Sequence, residues 1–276
     1  MTRLFVIIKL SNTLKHEEYK ADMSIQTAER STHIDPSENT NFQRHLIAYK
    51  EATKYVTGHL LELGSGEGYG IQELRPFVKR YLALDKYRPN FDFEKFDVTF
   101  ENCTFPNLDK IADNTYDCVV SFQVVEHIED DFTFISEIYR VLKPGGKLIL
   151  TTPNRLMSIT RNPWHIREYD AKSMAALISS KFKSFEMLGI DGNDRVKDYY
   201  RKNKISVEKI TRFDVFNLQY NLPRWMLKIP YDLLNRYNKN KLLTNSGPLS
   251  DTINFSDFLI RSFDDTCLDF FIIATK

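Results

Sequence analysis

Short apolar runs alternate with segments of helical periodicity through the first two thirds of the chain. Four runs are apolar enough to predict buried strands, over 59–63, 81–84, 117–122 and 147–152. Between them, apolar residues recur at helical spacing over 43–57, 69–78 and 132–142. Asp170 is the expected N-cap of a further helix. This alternation predicts an α/β fold, with a parallel sheet covered by helices on both faces.

The rest of the chain is less regular. A short strand is predicted near 93–96, and further strands at about 182–190 and 268–274. Polar sequence dominates the first 42 residues, and about 75 residues separate the last two strands. The expected organisation is an N-terminal arm or lid (1–42), a main domain (43–191 plus 267–276) and an inserted cap, expected on the substrate side (192–266).

Composition narrows the class of protein. The chain has 276 residues, 42% of them hydrophobic, and a formal net charge of +1, which argues against a nucleic-acid partner. Its three cysteines, Cys103, Cys118 and Cys267, lack metal-ligand spacing, as expected of a reduced cytoplasmic protein. The apolar run at 4–8 is too short for a signal peptide core. No apolar stretch approaches the ~20 residues that span a bilayer, so stable membrane insertion is not expected.

A glycine-rich segment joins the first of these strands to a helix. It reads LELGSGEGYG, with glycines at 64, 66, 68 and 70. Glycines allow unusual backbone angles and let a ligand approach the main chain closely, although a flexible strand–helix turn is the simpler alternative. A dinucleotide-binding fingerprint needs G-x-G-x-x-G, and Tyr69 occupies its third glycine position. The pattern therefore disfavours a nicotinamide cofactor.

An acidic residue ends the next strand. Asp85 lies 21 residues after Gly64. A carboxylate at this position can accept hydrogen bonds from both hydroxyls of a ribose, and the alternative is a helix cap or a solvated loop acid. Together with the glycine loop, Asp85 favours an adenosine-containing ligand.

The sequence at this point resembles the class I S-adenosylmethionine-dependent methyltransferases, particularly ubiquinone-biosynthesis O-methyltransferases and sugar or polysaccharide methyltransferases. The segments that carry the resemblance are LELGSGEGYG, ALD, YDCVVSFQVVEHIED and IYRVLKPGGKLILTTPN, in family order over 60–154. The final LDFFIIATK resembles the closing strand of the family. The resemblance implies a Rossmann-like fold with a mostly parallel, seven-stranded sheet, an antiparallel last strand and S-adenosylmethionine as cofactor.

The resemblance also implies a set of cofactor-binding residues. Those around the methionine part would be Glu62, Gly64, Ser65, Gly66 and Gly68. Asp85, followed by Lys86, would hold the ribose, and Asp97 with Val98 would lie near the adenine amino group. Gln123 would stand at the lip of the fourth strand, close to the reactive methyl group.

Glu126 and His127 follow that strand. Some quinone-pathway relatives have a glutamate in place of Gln123, and there it joins the Glu-His pair in a metal site. Because an amide is a poorer ligand for a hard cation than a carboxylate, we expect no metal here and favour a structural turn. His127 remains a candidate for substrate binding.

The segment NPWHIREY follows the fifth strand, where acceptors bind in such folds. His165 is a candidate general base for a hydroxyl acceptor, and Arg167 is a candidate partner for an anionic substrate group. The alternative is a structural loop in which His165 and Glu168 hydrogen-bond locally. By resemblance, Glu29-Arg30 and His45 would line a lid over the cofactor and acceptor.

The segment 195–241 is basic, with 12 Lys or Arg against 4 Asp or Glu. It could form a substrate cap, contact an anionic membrane surface or support a homodimer. The function expected is methyl transfer from S-adenosylmethionine to a hydroxyl of a small molecule or glycan. The alternatives are a nicotinamide-dependent oxidoreductase and a non-catalytic protein that keeps the cofactor fold.

Overall fold

Eight strands form one sheet in a computed structural model that describes residues 35–212, 214, 217–245 and 252–276. The predictions for Glu29 and Arg30, and for most of the arm, lie outside these residues. The strands are β1 (His59–Leu63), β2 (Arg80–Asp85), β3 (Thr99–Asn102), β4 (Tyr116–Phe122), β5 (Leu142–Pro153), β6 (Ser184–Gly192), β7 (Phe258–Ser262) and β8 (Asp269–Thr275).

The sheet is parallel on one side and antiparallel on the other. Its order is β3-β2-β1-β4-β5-β8-β6-β7, and β1 to β5 pair in parallel. The last strand, β8, lies between β5 and β6 and runs antiparallel to both. The mostly parallel α/β sheet with an antiparallel last strand is therefore confirmed.

Two details of the predicted sheet are wrong. The sheet has eight strands rather than seven, because β7 from the predicted insertion pairs antiparallel with β6 and forms the edge. The third strand is β3 at Thr99–Asn102, not 93–96. The segment 93–96 is rich in phenylalanine, but Phe93 packs as a buried side chain of the core without joining a strand.

Helices cover both faces of the sheet. Their bounds are α1 (Asn39–Ala52), α2 (Tyr69–Leu74), α3 (Asp131–Val141), α4 (Ala171–Ser179), α5 (Asp194–Thr211), α6 (Leu218–Asn221) and α7 (Arg224–Asn245). Tyr49 of α1 and Leu74 of α2 belong to one buried cluster, whereas Phe134 of α3 and Met174 of α4 belong to the other. Asp170 caps α4 as predicted, since its side chain accepts from the backbone N–H of Ser173.

The segment after β6 supplies α5, α6 and α7. Val196 and Tyr199 of α5 are buried in the core of the sheet. Asn238 of α7 donates to Asn203 of α5 at 2.7 Å, so α7 packs on α5. Among the described helices, including α7, none has a stretch long and apolar enough to cross a membrane.

Candidate functional site

The glycine loop lies at the carboxyl edge of the parallel strands. Gly64 donates its N–H to the Leu84 carbonyl at 2.8 Å, which ties the loop to the end of β2. Gly64 and Gly66 have φ of +82° and +54°, a region that side chains disfavour. A Cβ on Gly64 would strike Val124 at 2.3 Å, whereas a Cβ on Gly66 would meet nothing within 4 Å. Gly66 therefore presents bare backbone to open space, as a ligand cradle requires.

Asp85 braces this loop from the end of β2. Its Oδ2 accepts from the Gly66 N–H at 2.8 Å and its Oδ1 from the Tyr87 N–H at 3.1 Å. The neighbouring Ser65 is buried, and its hydroxyl has no hydrogen-bond partner in the protein. The structure therefore brings together Asp85, Ser65 and the open side of Gly66. Lys86 is exposed beside them, with its ammonium over the Tyr87 ring.

Glu62 is placed differently from the other loop residues. It is buried in β1, where Oε1 accepts from the Tyr49 hydroxyl and Oε2 from the Tyr81 hydroxyl, both at 2.7 Å. Burial raises the pKa of Glu62 to about 7, against the two tyrosine hydrogen bonds, which lower it. Both carboxylate oxygens thus serve to hold α1 and β2 on β1. The sequence alone did not suggest these two tyrosine partners.

Asp97 and Val98 lie at the amino ends of the parallel strands, whereas the glycine loop lies at their carboxyl ends. In the β2–β3 pairing, Asn102 is the residue opposite Asp85, whereas Asp97 precedes the amino end of β3. The Asp97 side chain is 89% exposed and pairs with Arg75 at 2.5 Å. The structure does not bring Asp97 and Val98 to the glycine loop. At the matching position it places Asn102, whose amide donates to the Lys86 carbonyl at 3.0 Å.

Gln123 follows β4 in a conformation that side chains rarely adopt, with φ of +56°. Its N–H donates to the Thr151 carbonyl at 2.9 Å and its side-chain amide to the Thr151 hydroxyl at 3.2 Å. Both bonds hold the turn after β4 against β5. The structure therefore places Gln123 on the same rim as the glycine loop, next to Val124, which contacts Gly64.

Glu126 lies beneath this turn and is fully buried. Its Oε2 accepts from the Thr152 hydroxyl at 2.9 Å, but its Oε1 has no protein hydrogen-bond partner. Its backbone carbonyl accepts from the Ile166 N–H at 2.7 Å, which draws the segment after β5 onto the same rim. A buried carboxylate oxygen without a partner is costly, so this atom is suited to a ligand donor.

His165 lies within this segment. Its Nδ1 is 2.6 Å from Glu168 Oε1, and its Nε2 is 2.9 Å from the Asn162 side-chain nitrogen. Asn162 Oδ1 accepts from the Trp164 N–H, which orients the amide nitrogen toward His165. Burial lowers the pKa of His165, but the Glu168 hydrogen bond and the charges of Glu126 and Glu168 outweigh it, so the pKa is raised. The local His165–Glu168 bond considered from the sequence is present.

His127 packs edge-on against His165, with ring centroids 5.0 Å apart. Its Nδ1 is 3.1 Å from the Trp164 carbonyl, so Nδ1 donates to this carbonyl and Nε2 is the ring nitrogen left for a ligand. One ligand atom each of Glu126, His127 and His165 lie within 4.8 Å of one another. These three side chains could hold a metal ion, and the expectation that none binds stays a prediction.

Two residues that sequence reasoning missed complete the buried cluster. Asp269 opens β8, paired in register with Pro153 of β5, and Arg44 of α1 lies 3.2 Å from its Oδ2. Neither carboxylate oxygen of Asp269 has a protein hydrogen bond, because this ion pair lacks hydrogen-bond alignment. Burial raises the pKa of Asp269 to about 6, opposed by Arg44. The only signal in the sequence is an acid at the start of an otherwise apolar strand.

Arg167 and His45 stand at the margins of this cluster. Arg167 pairs with Asp131 and donates to the Glu129 carbonyl, so the structure does not direct it toward His165. His45 Nδ1 lies 3.4 Å from the Tyr69 hydroxyl, beside the start of α2. Burial and the neighbouring Arg44 lower the pKa of His45 to about 3, which keeps it neutral.

Comparison with known proteins identifies the family. A family model described as a methyltransferase domain matches residues 61–150. A probable S-adenosylmethionine-dependent methyltransferase of Mycolicibacterium smegmatis is 32% identical over 180 residues, which cover 59% of this chain and 67% of that protein. A mitochondrial ubiquinone biosynthesis O-methyltransferase of Bos taurus is 30% identical over 120 residues, which cover 40% of this chain and 32% of that protein.

A solved structure shares the fold. The structure of an S-adenosylmethionine-dependent methyltransferase of Thermotoga maritima superposes with a TM-score of 0.53 at 13% identity, over 86% of this chain and 91% of that one. These matches decide against the nicotinamide and non-catalytic alternatives. The chain belongs to the S-adenosylmethionine-dependent methyltransferases, and its cofactor is S-adenosylmethionine.

Proposed function

We propose that this enzyme transfers the methyl group to a hydroxyl of a small molecule or glycan, and that the acceptor binds at the buried cluster of Glu126, His165 and Asp269. The observation that carries the proposal is the set of buried carboxylate oxygens there without a protein hydrogen bond, Glu126 Oε1 and both Asp269 oxygens, of which Asp269 Oδ2 is ion-paired with Arg44. Polyhydroxylated acceptors supply the donors that such atoms need. The bovine relative named above is itself an O-methyltransferase.

The cofactor would lie across the rim formed by the glycine loop and Asp85. The residues fit it, because Gly66 opens onto free space and the Ser65 hydroxyl is buried without a partner. Asp85 would accept the two ribose hydroxyls while keeping its bond to the Gly66 N–H. Lys86 follows β2 and Asn102 is the last residue of β3, and both would border the adenine, in place of Asp97 and Val98. Gln123 would face the reactive end.

When bound, S-adenosylmethionine supplies a methyl group activated by its sulfonium, which is transferred in line from sulfur to the acceptor. Because the positive charge disappears during transfer, strong negative charge close to sulfur would slow the reaction. The protein meets this condition by placing Glu62 between two phenols, with a pKa of about 7. Positioning of the acceptor oxygen is then the main task of this chain.

His165 would remove the acceptor proton. Glu168 holds its Nδ1–H, which leaves the Nε2 lone pair to face outward, as in other carboxylate–histidine pairs. The Asn162 amide now donates to Nε2, and the acceptor hydroxyl would take its place. The proton then passes from the hydroxyl to Nε2. His127 would contact the acceptor through its Nε2. Arg167, held by its ion pair with Asp131, would lie at the rim of the cleft.

The predicted cap would close this cleft. Trp164 donates its indole N–H to Asp232 of α7 at 2.9 Å, and Arg161 donates to the Gln219 carbonyl of α6 at 3.2 Å. Arg224 at the start of α7 reaches the His165 carbonyl at 3.4 Å. These contacts support a division into a cofactor domain and a cap on the acceptor side.

The test is a screen with methyl-labelled S-adenosylmethionine. Phenols, sugars and nucleotide-linked sugars are compared with amine analogues of the same size, with wild type and His165→Ala in parallel. We expect label on a hydroxyl acceptor and a loss of ~10²–10⁴ in turnover for His165→Ala, with cofactor affinity unchanged. Transfer to amines alone, or normal turnover in the variant, would contradict the proposal.

A further inference from the structure

Helix α7 has its apolar side toward solvent. Trp225, Ile229, Leu233 and Tyr237 follow one another at i+4 spacing, which places them on one stripe of the helix. Their exposures are 73%, 73%, 66% and 58%, and Met226 beside them is also exposed. An exposed helix of a soluble protein normally shows the reverse arrangement, with its apolar stripe facing the core. Scattered single residues need no explanation, but a continuous stripe does.

The inward side of α7 makes polar contacts with the rest of the protein. Lys239 pairs with Glu38 at 2.5 Å, and Asn238 donates to Asn203 at 2.7 Å. Asp232, the single acid in the helix, accepts from the Trp164 indole. Because these polar contacts fix the rotation of α7, its apolar stripe cannot turn inward without breaking them.

We propose that this outward face of α7, defined by Trp225, Ile229, Leu233 and Tyr237, docks on an anionic lipid surface. The inference is independent of the proposed acceptor. Charge selects the occupant, because α7 carries five basic residues against one acid, and that acid is turned inward. Arg236 is exposed on the same side of the helix. Aromatic and aliphatic side chains flanked by Lys and Arg are typical of helices that lie in the plane of an anionic bilayer.

A second copy of the chain fits this face less well. A symmetric dimer would place the same basic residues opposite one another, since a two-fold interface pairs each patch with itself. The excess extends beyond α7, because the whole segment 195–241, which includes α6 and nearly all of α5, contains 12 Lys or Arg against 4 Asp or Glu. An anionic surface neutralises this charge, whereas a copy of the same face would double it.

The test uses the full chain and vesicles of phosphatidylcholine with or without phosphatidylglycerol. We expect co-sedimentation with the anionic vesicles only, and weakening by salt. Trp225 is one of two tryptophans, so its emission is taken as the difference between wild type and Trp225→Phe, and this difference should shift to the blue on binding. Trp225→Ser/Ile229→Ser/Leu233→Ser should lower vesicle partitioning at least about tenfold. The matched control is Phe77→Ser, which removes an exposed aromatic near the amino end of β2.

Three outcomes would overturn the proposal. The first is equal binding to neutral and anionic vesicles, which would remove the argument from charge. The second is an absence of vesicle binding, or binding that the triple variant leaves unchanged. The third is a dimer in light scattering that the triple variant dissociates, since a second copy would then be the occupant of the α7 face. Because the substituted side chains are exposed, circular dichroism and cofactor affinity should stay at the wild-type level.

Discussion

At the scale of single residues, Asp85 offers the most direct test of the proposed cofactor site. Asp85→Ala removes the carboxylate proposed to hold the ribose and leaves the Gly66 N–H without its acceptor. We expect cofactor binding to weaken by roughly 1.5–3 kcal/mol, the range for hydrogen bonds to charged groups. Isothermal titration calorimetry with S-adenosylhomocysteine measures this loss of affinity. Asp97→Ala is the matched control and should leave the affinity unchanged, because Asp97 lies at the amino ends of the parallel strands. If Asp97→Ala weakened cofactor binding and Asp85→Ala did not, Asp97 rather than Asp85 would be the acid that binds the cofactor.

The pair of His165 and Glu168 predicts a pH effect. Glu168 raises the pKa of His165 by accepting its Nδ1–H. A general base must be unprotonated, so kcat/KM should rise with pH through this raised pKa. Glu168→Gln keeps the size of the side chain and removes the charge, which lowers the pKa of His165 and moves the acid limb of the profile to lower pH. Profiles of kcat/KM for both proteins measure this. If the acid limb did not move, the ionisation that causes it would belong to another group. Asp269 would be the first to examine, since its pKa is about 6.

The cluster of Glu126, His127 and His165 allows a decisive metal experiment. Both ring nitrogens of His165 are engaged, by Glu168 and Asn162, and Gln123 stands where some relatives have a carboxylate. We therefore expect treatment with EDTA to leave turnover intact. The measurement is activity after chelation and gel filtration, with Mg²⁺ or Zn²⁺ added back. Activity lost to EDTA and restored by one of the ions would show that these three side chains bind metal.

At the scale of elements, α7 connects the cap to the acceptor segment. Asp232→Ala breaks the 2.9 Å bond to the Trp164 indole, so the segment that carries His165 loses one of its supports. We expect the KM for the acceptor to rise about tenfold, which corresponds to the ~1.4 kcal/mol of one such bond, with cofactor affinity unchanged. Asp198→Ala is the control, since it removes an acid of α5 that pairs with Lys202 at the surface. Equal effects of the two variants would deny α7 a role in acceptor binding.

The elements also show that 192–266 is more than a removable lid. Its first helix, α5, buries Val196 and Tyr199 in the main core, and β7 forms the edge of the sheet. Replacing the whole segment by a short turn would therefore damage the cofactor domain itself. Point substitutions on the exposed outward face of α7 can instead test the function of the cap without damage to the fold of the cofactor domain.

At the scale of the whole molecule, Glu62 links stability to pH. Its pKa is about 7 in the folded protein because of burial, against a value of 4.5 when exposed. The folded state therefore holds the proton more tightly, so its contribution is present below pH 4.5 and is lost as pH rises through 7. Relative to Glu62→Gln, the free energy of unfolding of wild type should fall by up to about 3 kcal/mol between pH 4 and 8. Denaturant titrations across this range measure it.

The control for Glu62 is Glu73→Gln, because Glu73 is partly exposed and pairs with Lys50 on the surface of α1. It should follow the pH dependence of wild type. If Glu62→Gln also followed wild type, the carboxyl would be titrating as an exposed group, and the two tyrosine hydrogen bonds, which lower its pKa, would have to offset the whole effect of burial.

Much of the fold and half of the site could be predicted because their signals are local. Strand periodicity, the glycine loop and Asp85 lie within 59–85, and parallel pairing brings them to one edge. The edge strand β7 escaped prediction because it follows a long insertion and pairs with β6 only in the folded sheet. Asp97 lies at the end of β3 away from the glycine loop, and a four-residue strand gives too weak a sequence pattern to fix which of its ends lies beside that loop.

The sequence alone determined the family, the α/β class, and the glycine loop with the acid that follows the next strand, since each depends on neighbours within a few residues or on regular spacing. Tertiary structure decided which buried polar groups lie at the proposed acceptor site. Arg44 and Asp269 are 225 positions apart, yet the antiparallel insertion of β8 beside β5 brings them to 3.2 Å. The outward face of α7 is likewise set by contacts with α5 and Glu38 rather than by its own periodicity. Helical spacing shows that a stripe exists, whereas only packing determines which way it points.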